Sequence, residues 1–162
     1  MLKRNITSCF LESLTDTPVI LVNGSRQVGK STFVKNLLSS THTYYTLDDP
    51  TLLASVKQDS SLFIENLPGP SIIDEVQRAP QLFLPLKKVV DTHRKPGFFI
   101  LTGSANVLAL PNLADSLAGR LEIHTLWPLS QSELQGRKSD FISLLFKEKF
   151  PPFKSTLSLD QL

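Results

Sequence analysis

The stretch "VNGSRQVGKSTF", residues 22–33, constrains this chain more than any other. Gly24, Gly29, Lys30 and Ser31 fill the spacing G-x-x-x-x-G-K-[ST]. Glycines at those two places let the backbone curl, so that successive N–H groups converge on one concavity that suits an anion. A helix starting there adds the positive end of its dipole to the same spot. A glycine turn that matches by chance has no reason to be framed as this one is. The apolar run "PVILV" precedes it as a buried strand, and an amphipathic helix to about Ser39 follows, with Phe33, Val34, Leu37 and Leu38 on one face.

This is the Walker A pattern. It assigns Gly24, Ser25, Arg26, Gln27, Val28, Gly29, Lys30, Ser31 and Thr32 to a phosphate cradle. Lys30 is expected to reach the β- and γ-phosphates of a nucleotide as a point charge facing phosphate and not core, and the Ser31 hydroxyl to ligate Mg²⁺. A metal partner is then required. "SIIDEVQ" supplies it: Asp74 ends a short apolar strand in the Walker B position for Mg²⁺, and Glu75 follows as the candidate base that takes a proton from water. The plainer account of the pair is a strand end followed by a helix N-terminus, where acids are favoured anyway. "FFILTGSAN" ends another strand in small polar residues, so Thr102, Ser104 and Asn106 are candidates to touch the γ-phosphate or its attacking water. A plain strand-to-loop turn is the alternative.

The remaining elements alternate. Leu2, Ile6, Phe10 and Leu14 mark one face of an N-terminal helix. "TYYTL" (43–47) reads as a strand. Asp49 then caps a helix that opens on Pro50 and reaches about Gln58, and a short helix over 60–66 follows. "SIID" (71–74) is a strand, 81–91 a helix with an early kink at Pro85, "FFILT" (98–102) a strand, and "RLEIHTLWP" (120–128) a fifth strand. "NVLAL" and "LADSLAG" read as helical turns, and "LSQSELQG" and "SDFISLLFKEKF" as late helices before a polar tail. Short apolar strands separated by helices predict an α/β fold, with a parallel sheet covered by helices on both faces.

Composition narrows the function by exclusion. A formal net charge of +2, from 17 basic and 15 acidic side chains, is too balanced to argue for nucleic acid. The basic C-terminal end, Arg137, Lys138, Lys147, Lys149 and Lys154, reads as a solvated face. No apolar run approaches the roughly 18 residues that span a bilayer. Cys9, the only cysteine, forms no internal disulfide, and a cytoplasmic location is the expectation. His42, His93 and His124 lack metal-ligand spacing, Trp127 reads as core, and Asp48 and Asp49 read as capping residues.

"GSRQVGKST", "LDDP", "IIDEVQRAP", "LTGSAN" and "SLAGRLEIHTLWPLSQSEL" together resemble a group of prokaryotic AAA-like P-loop ATPases, whose ATP-binding core usually precedes an uncharacterised C-terminal domain. The resemblance implies a three-layer P-loop NTPase fold with a five-stranded parallel sheet in the order 5-1-4-3-2, here with a helical C-terminal extension. It sets the "LTGSAN" strand between the Walker strands and favours Ser104 as the polar sensor. It gives Arg120 of "LAGR" a role as an arginine finger that serves a neighbouring copy, hence a homo-oligomer. The alternative for Arg120 is a surface salt bridge at a strand start. Residues 1–135 would be the core and 136–162 the start of a further region. Family members usually continue well beyond this length, so the chain reads as a short form. The expected activity is slow, Mg²⁺-dependent hydrolysis of ATP; without an N-K-x-D motif, guanine specificity is not expected. The alternatives are a nucleotide-dependent switch or interaction module with an unknown protein partner and no significant turnover, a small-molecule kinase, or an inert fragment. Against the kinase stand the adjacent Asp74–Glu75 pair and the lack of an Arg-rich lid.

Overall fold

A computed structural model describes residues 2–104, 107, 109, 110, 113, 116–136 and 146. The chain divides into two compact units, Arg4–Leu129 and a second that comprises residues 1–3 and 130–162. In the first unit β1 (Val19–Gly24), β2 (Thr43–Thr46), β3 (Ser71–Asp74), β4 (Phe99–Ser104) and β5 (Leu121–Thr125) form one sheet in the order β2-β3-β4-β1-β5. Every pairing is parallel. This is the expected order, read from its other edge.

Strand alternation builds the three layers. Ile20, Val22, Ile72 and Ile100 point to one face, where they meet Phe10 of α1 (Thr7–Ser13) and Phe33, Val34 and Leu38 of α2 (Lys30–Leu38). Val19, Leu21, Ile73, Phe99 and Leu101 point to the other. There they pack on Val56 of α3 (Pro50–Gln58), Ile64 of α4 (Ser60–Glu65) and Phe83, Leu86 and Val90 of α5 (Phe83–His93). Strands β1 and β3 and nearly all of β4 are buried, so their apolar runs carry no polar alternation. Each fully buried Ile or Leu contributes about 1.5–3 kcal/mol of transfer free energy.

Local chemistry fixes the ends. Asp49 caps α3, accepting from the Thr51 and Leu52 N–H groups, with Pro50 at the first position. Pro85, where an early kink is expected, lies in the first turn of α5, where no N–H partner is needed. α1 is shorter than its apolar spacing suggests, and Leu2 is exposed. In the second unit α6 (Gln131–Gln135) opens on a capping box between Ser130 and Glu133 and ends at Gly136 in the left-handed region. Apart from Phe146, the helix expected over "SDFISLLFKEKF" lies outside the described residues, as do the basic residues Arg137, Lys138, Lys147, Lys149 and Lys154. Among the described residues, no helix is long and apolar enough to cross a membrane.

Two expectations need correcting. Trp127 is not core: it is 72% exposed. β5 is an edge strand that ends at Thr125, and the chain leaves the sheet before Trp127, so among the described residues no neighbouring strand covers the indole. Asp48 is not a cap; it pairs with Arg78 at 2.5 Å. The histidines are structural or exposed. His124 is buried, with Nε2 2.8 Å from Ser13 Oγ and its ring edge-on to Phe10, while His42 Nε2 meets the Gly97 carbonyl at 2.8 Å.

Candidate functional site

The site forms at the C-terminal ends of β1, β3 and β4, where a parallel sheet opens a crevice beside its helix N-termini. Gly24 ends β1 at φ +152°, and a Cβ there would lie 2.3 Å from the Leu126 carbonyl oxygen. Only glycine lets the chain turn out of the sheet against that backbone. The loop continues through Gln27 at φ +65° to Gly29 at φ +91°, which precedes the first residue of α2. Among the described hydrogen bonds, no backbone N–H from Ser25 to Gly29 donates to a protein acceptor. A run of converging donors at a helix N-terminus is an anion nest.

Lys30, the residue expected to reach the phosphates, folds back on its own loop. It is 5% exposed, and its Nζ donates to the carbonyls of Gly24 at 3.2 Å and Ser25 at 2.9 Å. The ammonium thus spans the loop it belongs to. Ser25, Arg26, Gln27 and Thr32 are exposed, and Val28 is half-buried.

Asp74 is the centre of the second half of the site. It is 4% exposed and accepts hydrogen bonds from three hydroxyls: Ser31 at 2.9 Å, Tyr44 at 2.5 Å, and Thr102. They come from α2, β2 and β4, so the strand order puts a donor on each side of β3. Burial, and then the hydrogen bond to Asp74, push the Tyr44 phenol well above the usual tyrosine range, so it stays a neutral donor. Lys35 Nζ sits 3.6 Å from the centre of the Tyr44 ring. An alcohol and a carboxylate oxygen 2.9 Å apart are hard oxygen donors of the kind that suit Mg²⁺.

Glu75 follows at φ +59°, an uncommon backbone conformation for a residue with a side chain. Its N–H donates to Thr102 Oγ1 at 3.3 Å, and its carboxylate accepts from the Gln77 amide. Gln77 Oε1 is buried without a partner. A Cβ on Gly103 would stand 3.0 Å from that oxygen, so the glycine of "LTGS" leaves room for the Gln77 side chain. Ser104 is half-buried and in register with Gly24, at the mouth of the loop. Asn106 lies outside the described residues.

Arg120 does not join this constellation. It precedes β5, and its carbonyl accepts from the Val19 N–H, at the opposite end of the sheet from the loop. Five residue steps along β1 separate those ends, roughly 16 Å at strand rise. Its guanidinium pairs with Asp91 and donates to the Ala118 carbonyl at 2.8 Å. The Arg120 hydrogen bond holds the Asp91 carboxyl below the usual carboxylate range. Tyr44 and Gln77 were not legible as site residues in the sequence; the strand order and the three residues of "DEVQ" after Asp74 were the only signals.

A family model described as AAA domain matches residues 16–135. Uncharacterized proteins of Mycobacterium tuberculosis and Mycobacterium bovis are each 33% identical to the chain over 143 residues. The match covers 85% of this chain and 31% of each relative, so the chain spans about a third of the length of the curated relatives it matches. The matched residues contain the glycine loop, Asp74, Glu75 and the whole sheet, and on that match the chain belongs to the AAA domain family of P-loop, nucleotide-binding, ATPase-like proteins.

Proposed function

We propose that the chain binds Mg²⁺–ATP in the Gly24–Thr32 loop and hydrolyses it slowly. The observation that carries this is the 2.9 Å hydrogen bond between Ser31 and Asp74, which joins the end of the phosphate nest to a buried carboxylate. Ser31 and Asp74 would hold the metal, directly or through water; when bound, Mg²⁺ neutralises charge on the β- and γ-phosphates. The loop N–H groups and Lys30 bind the phosphate oxygens, and Lys30 exchanges its carbonyl partners for them. Thr102 and Tyr44 keep Asp74 in place. In hydrolysis the oxygen of a water attacks the γ-phosphorus and the bond to the β,γ-bridging oxygen breaks. The proton of that water passes to the Glu75 carboxylate, and ADP leaves with the electron pair. Ser104, in register with Gly24 beside the loop, would orient that water. Arg120 faces away from its own loop, so a finger role means action on a neighbouring copy in a homo-oligomer.

A second reading, a nucleotide-dependent switch with an unknown protein partner and no significant turnover, is favoured by the Gln77 amide on Glu75. A carboxylate engaged there must be released before it takes a proton. Phosphate release by purified protein with Mg²⁺–ATP, beside Glu75→Gln, separates the two. Turnover in the wild type that is lost in the variant, with ATP affinity kept, supports hydrolysis. Equal turnover in both removes Glu75 as the base. ATP binding with no phosphate release in either leaves the switch.

A further inference from the structure

Trp127 is the one tryptophan of the chain, and it stands 72% exposed beside the phosphate loop. Its backbone is fixed there. The Leu126 N–H donates to the Asn23 carbonyl at 2.8 Å, and the Leu126 carbonyl fills the space that a Cβ on Gly24 would need. The buried Arg4 guanidinium donates both to the Val28 carbonyl, at 3.2 Å, and to the Trp127 carbonyl. One side chain therefore ties the loop to the segment that carries the indole.

The sheet order gives the direction in which a ligand must run. Asp74 on β3 and Thr102 on β4 lie to one side of β1, and Ser31 hydrogen-bonds toward them. The terminal phosphate and metal end of a nucleotide belongs on that side. The rest of the molecule then leaves the loop toward the opposite neighbour of β1, which is β5, and Trp127 stands just past the end of β5. An exposed indole at that place offers a flat apolar face to a flat apolar ligand group.

We infer that Trp127 is the base-stacking residue of this site and that its partner is the purine of a nucleoside triphosphate, whose ring system covers more of the indole than a pyrimidine does. The inference rests on the nucleotide reading of the glycine loop. Arg4 is a positioning residue, acting through the two carbonyls it joins. Stacking of a base on an aromatic side chain contributes roughly tenfold or more in affinity.

The test uses Trp127 as its own reporter. Wild type, Trp127→Phe and Trp127→Ala are titrated by calorimetry with Mg²⁺–ATP and with Mg²⁺–tripolyphosphate, which carries the phosphates without a base, and wild-type tryptophan fluorescence is followed in parallel. The side chain is exposed, so both variants should keep the wild-type circular dichroism. The expected result is quenching by ATP but not by tripolyphosphate, an ATP affinity roughly tenfold above that of tripolyphosphate in the wild type, most of that gain lost in Trp127→Ala, and most of it kept in Trp127→Phe. ATP binding that leaves the fluorescence unchanged and is equally tight in Trp127→Ala overturns the stacking role while leaving the phosphate loop intact. Failure of both ligands to bind the wild type overturns the loop reading and this inference together.

Discussion

Ser31 Oγ donates to Asp74 Oδ1 at 2.9 Å across 43 residues of sequence, so the first turn of α2 and the last residue of β3 are already joined. The pair is the geometric link between the phosphate nest and the acid that would hold its counter-ion. Asp74→Asn keeps the shape and removes the negative charge, although its amide nitrogen donates where one carboxylate oxygen accepted. The expected outcome is that Mg²⁺ no longer strengthens ATP binding by about tenfold or more, a loss of the size of one charge-assisted contact, while Mg²⁺-free affinity stays within about twofold. Calorimetry in Mg²⁺ and in EDTA reads both.

Tyr44→Phe removes one donor to Asp74 and leaves the ring beneath Lys35. A net loss of about 1 kcal/mol is expected, with the surrounding sheet intact. Urea denaturation should move the midpoint without changing the slope.

Gly24→Ala sets a Cβ 2.3 Å from the Leu126 carbonyl at a backbone angle that favours glycine. Loss of more than about 1 kcal/mol of stability is expected, with nucleotide binding lost too, because the loop and the Trp127 segment must part. A wild-type melting temperature and ATP affinity would contradict this packing.

How the sheet assembles was largely legible from sequence. Buried parallel strands are written as unbroken apolar runs, and "VILV", "SII" and "FFILT" fall where β1, β3 and β4 do. The glycine loop was legible because its chemistry is local. Tyr44 and Thr102 became partners of Asp74 only through the strand order: the pairs Tyr45 with Ile73 and Ile73 with Leu101 set β2 and β4 on either side of the acid, and no local pattern encodes that. Trp127 was misplaced because an indole after an apolar strand looks like core until the strand proves to be an edge. Gln77 was hidden because its role depends on the missing Cβ of Gly103.

Gly103→Ala should therefore act on Glu75 through Gln77. A methyl group 3.0 Å from Gln77 Oε1 and 3.1 Å from Val107 Cβ displaces the amide that holds the Glu75 carboxylate. ATP affinity should stay within about twofold while the single-turnover rate of phosphate release changes by about threefold or more, since the affected group serves the transition state and not binding. Gln77→Ala should change the rate in the same direction. Unchanged rates in both would remove Gln77 from control of Glu75.

The Arg120–Asp91 pair makes a pH prediction. The Arg120 hydrogen bond lowers the Asp91 pKa in the folded state, so its stabilisation is complete above the unfolded carboxylate value, about 4, and is lost as pH falls through the lower folded value. Arg120→Ala should flatten that part of the acid arm in denaturation midpoints measured against pH: the variant lies slightly below the wild type at neutral pH and meets it once Asp91 is protonated in both. If Arg120 also serves a neighbouring copy, wild-type turnover per chain should rise with protein concentration and that of Arg120→Ala should not.

The central claim is that the Gly24–Thr32 loop binds the phosphates of Mg²⁺–ATP, and titration calorimetry of wild type beside Lys30→Ala tests it most directly. Among the described residues Lys30 is held by the Gly24 and Ser25 carbonyls alone, so the variant should keep the wild-type fold by circular dichroism. The predicted result is saturable binding in the wild type, weakened about a hundredfold in Lys30→Ala by loss of a charge-assisted contact to phosphate. Equal affinity in the two proteins, or no binding in the wild type, would contradict it.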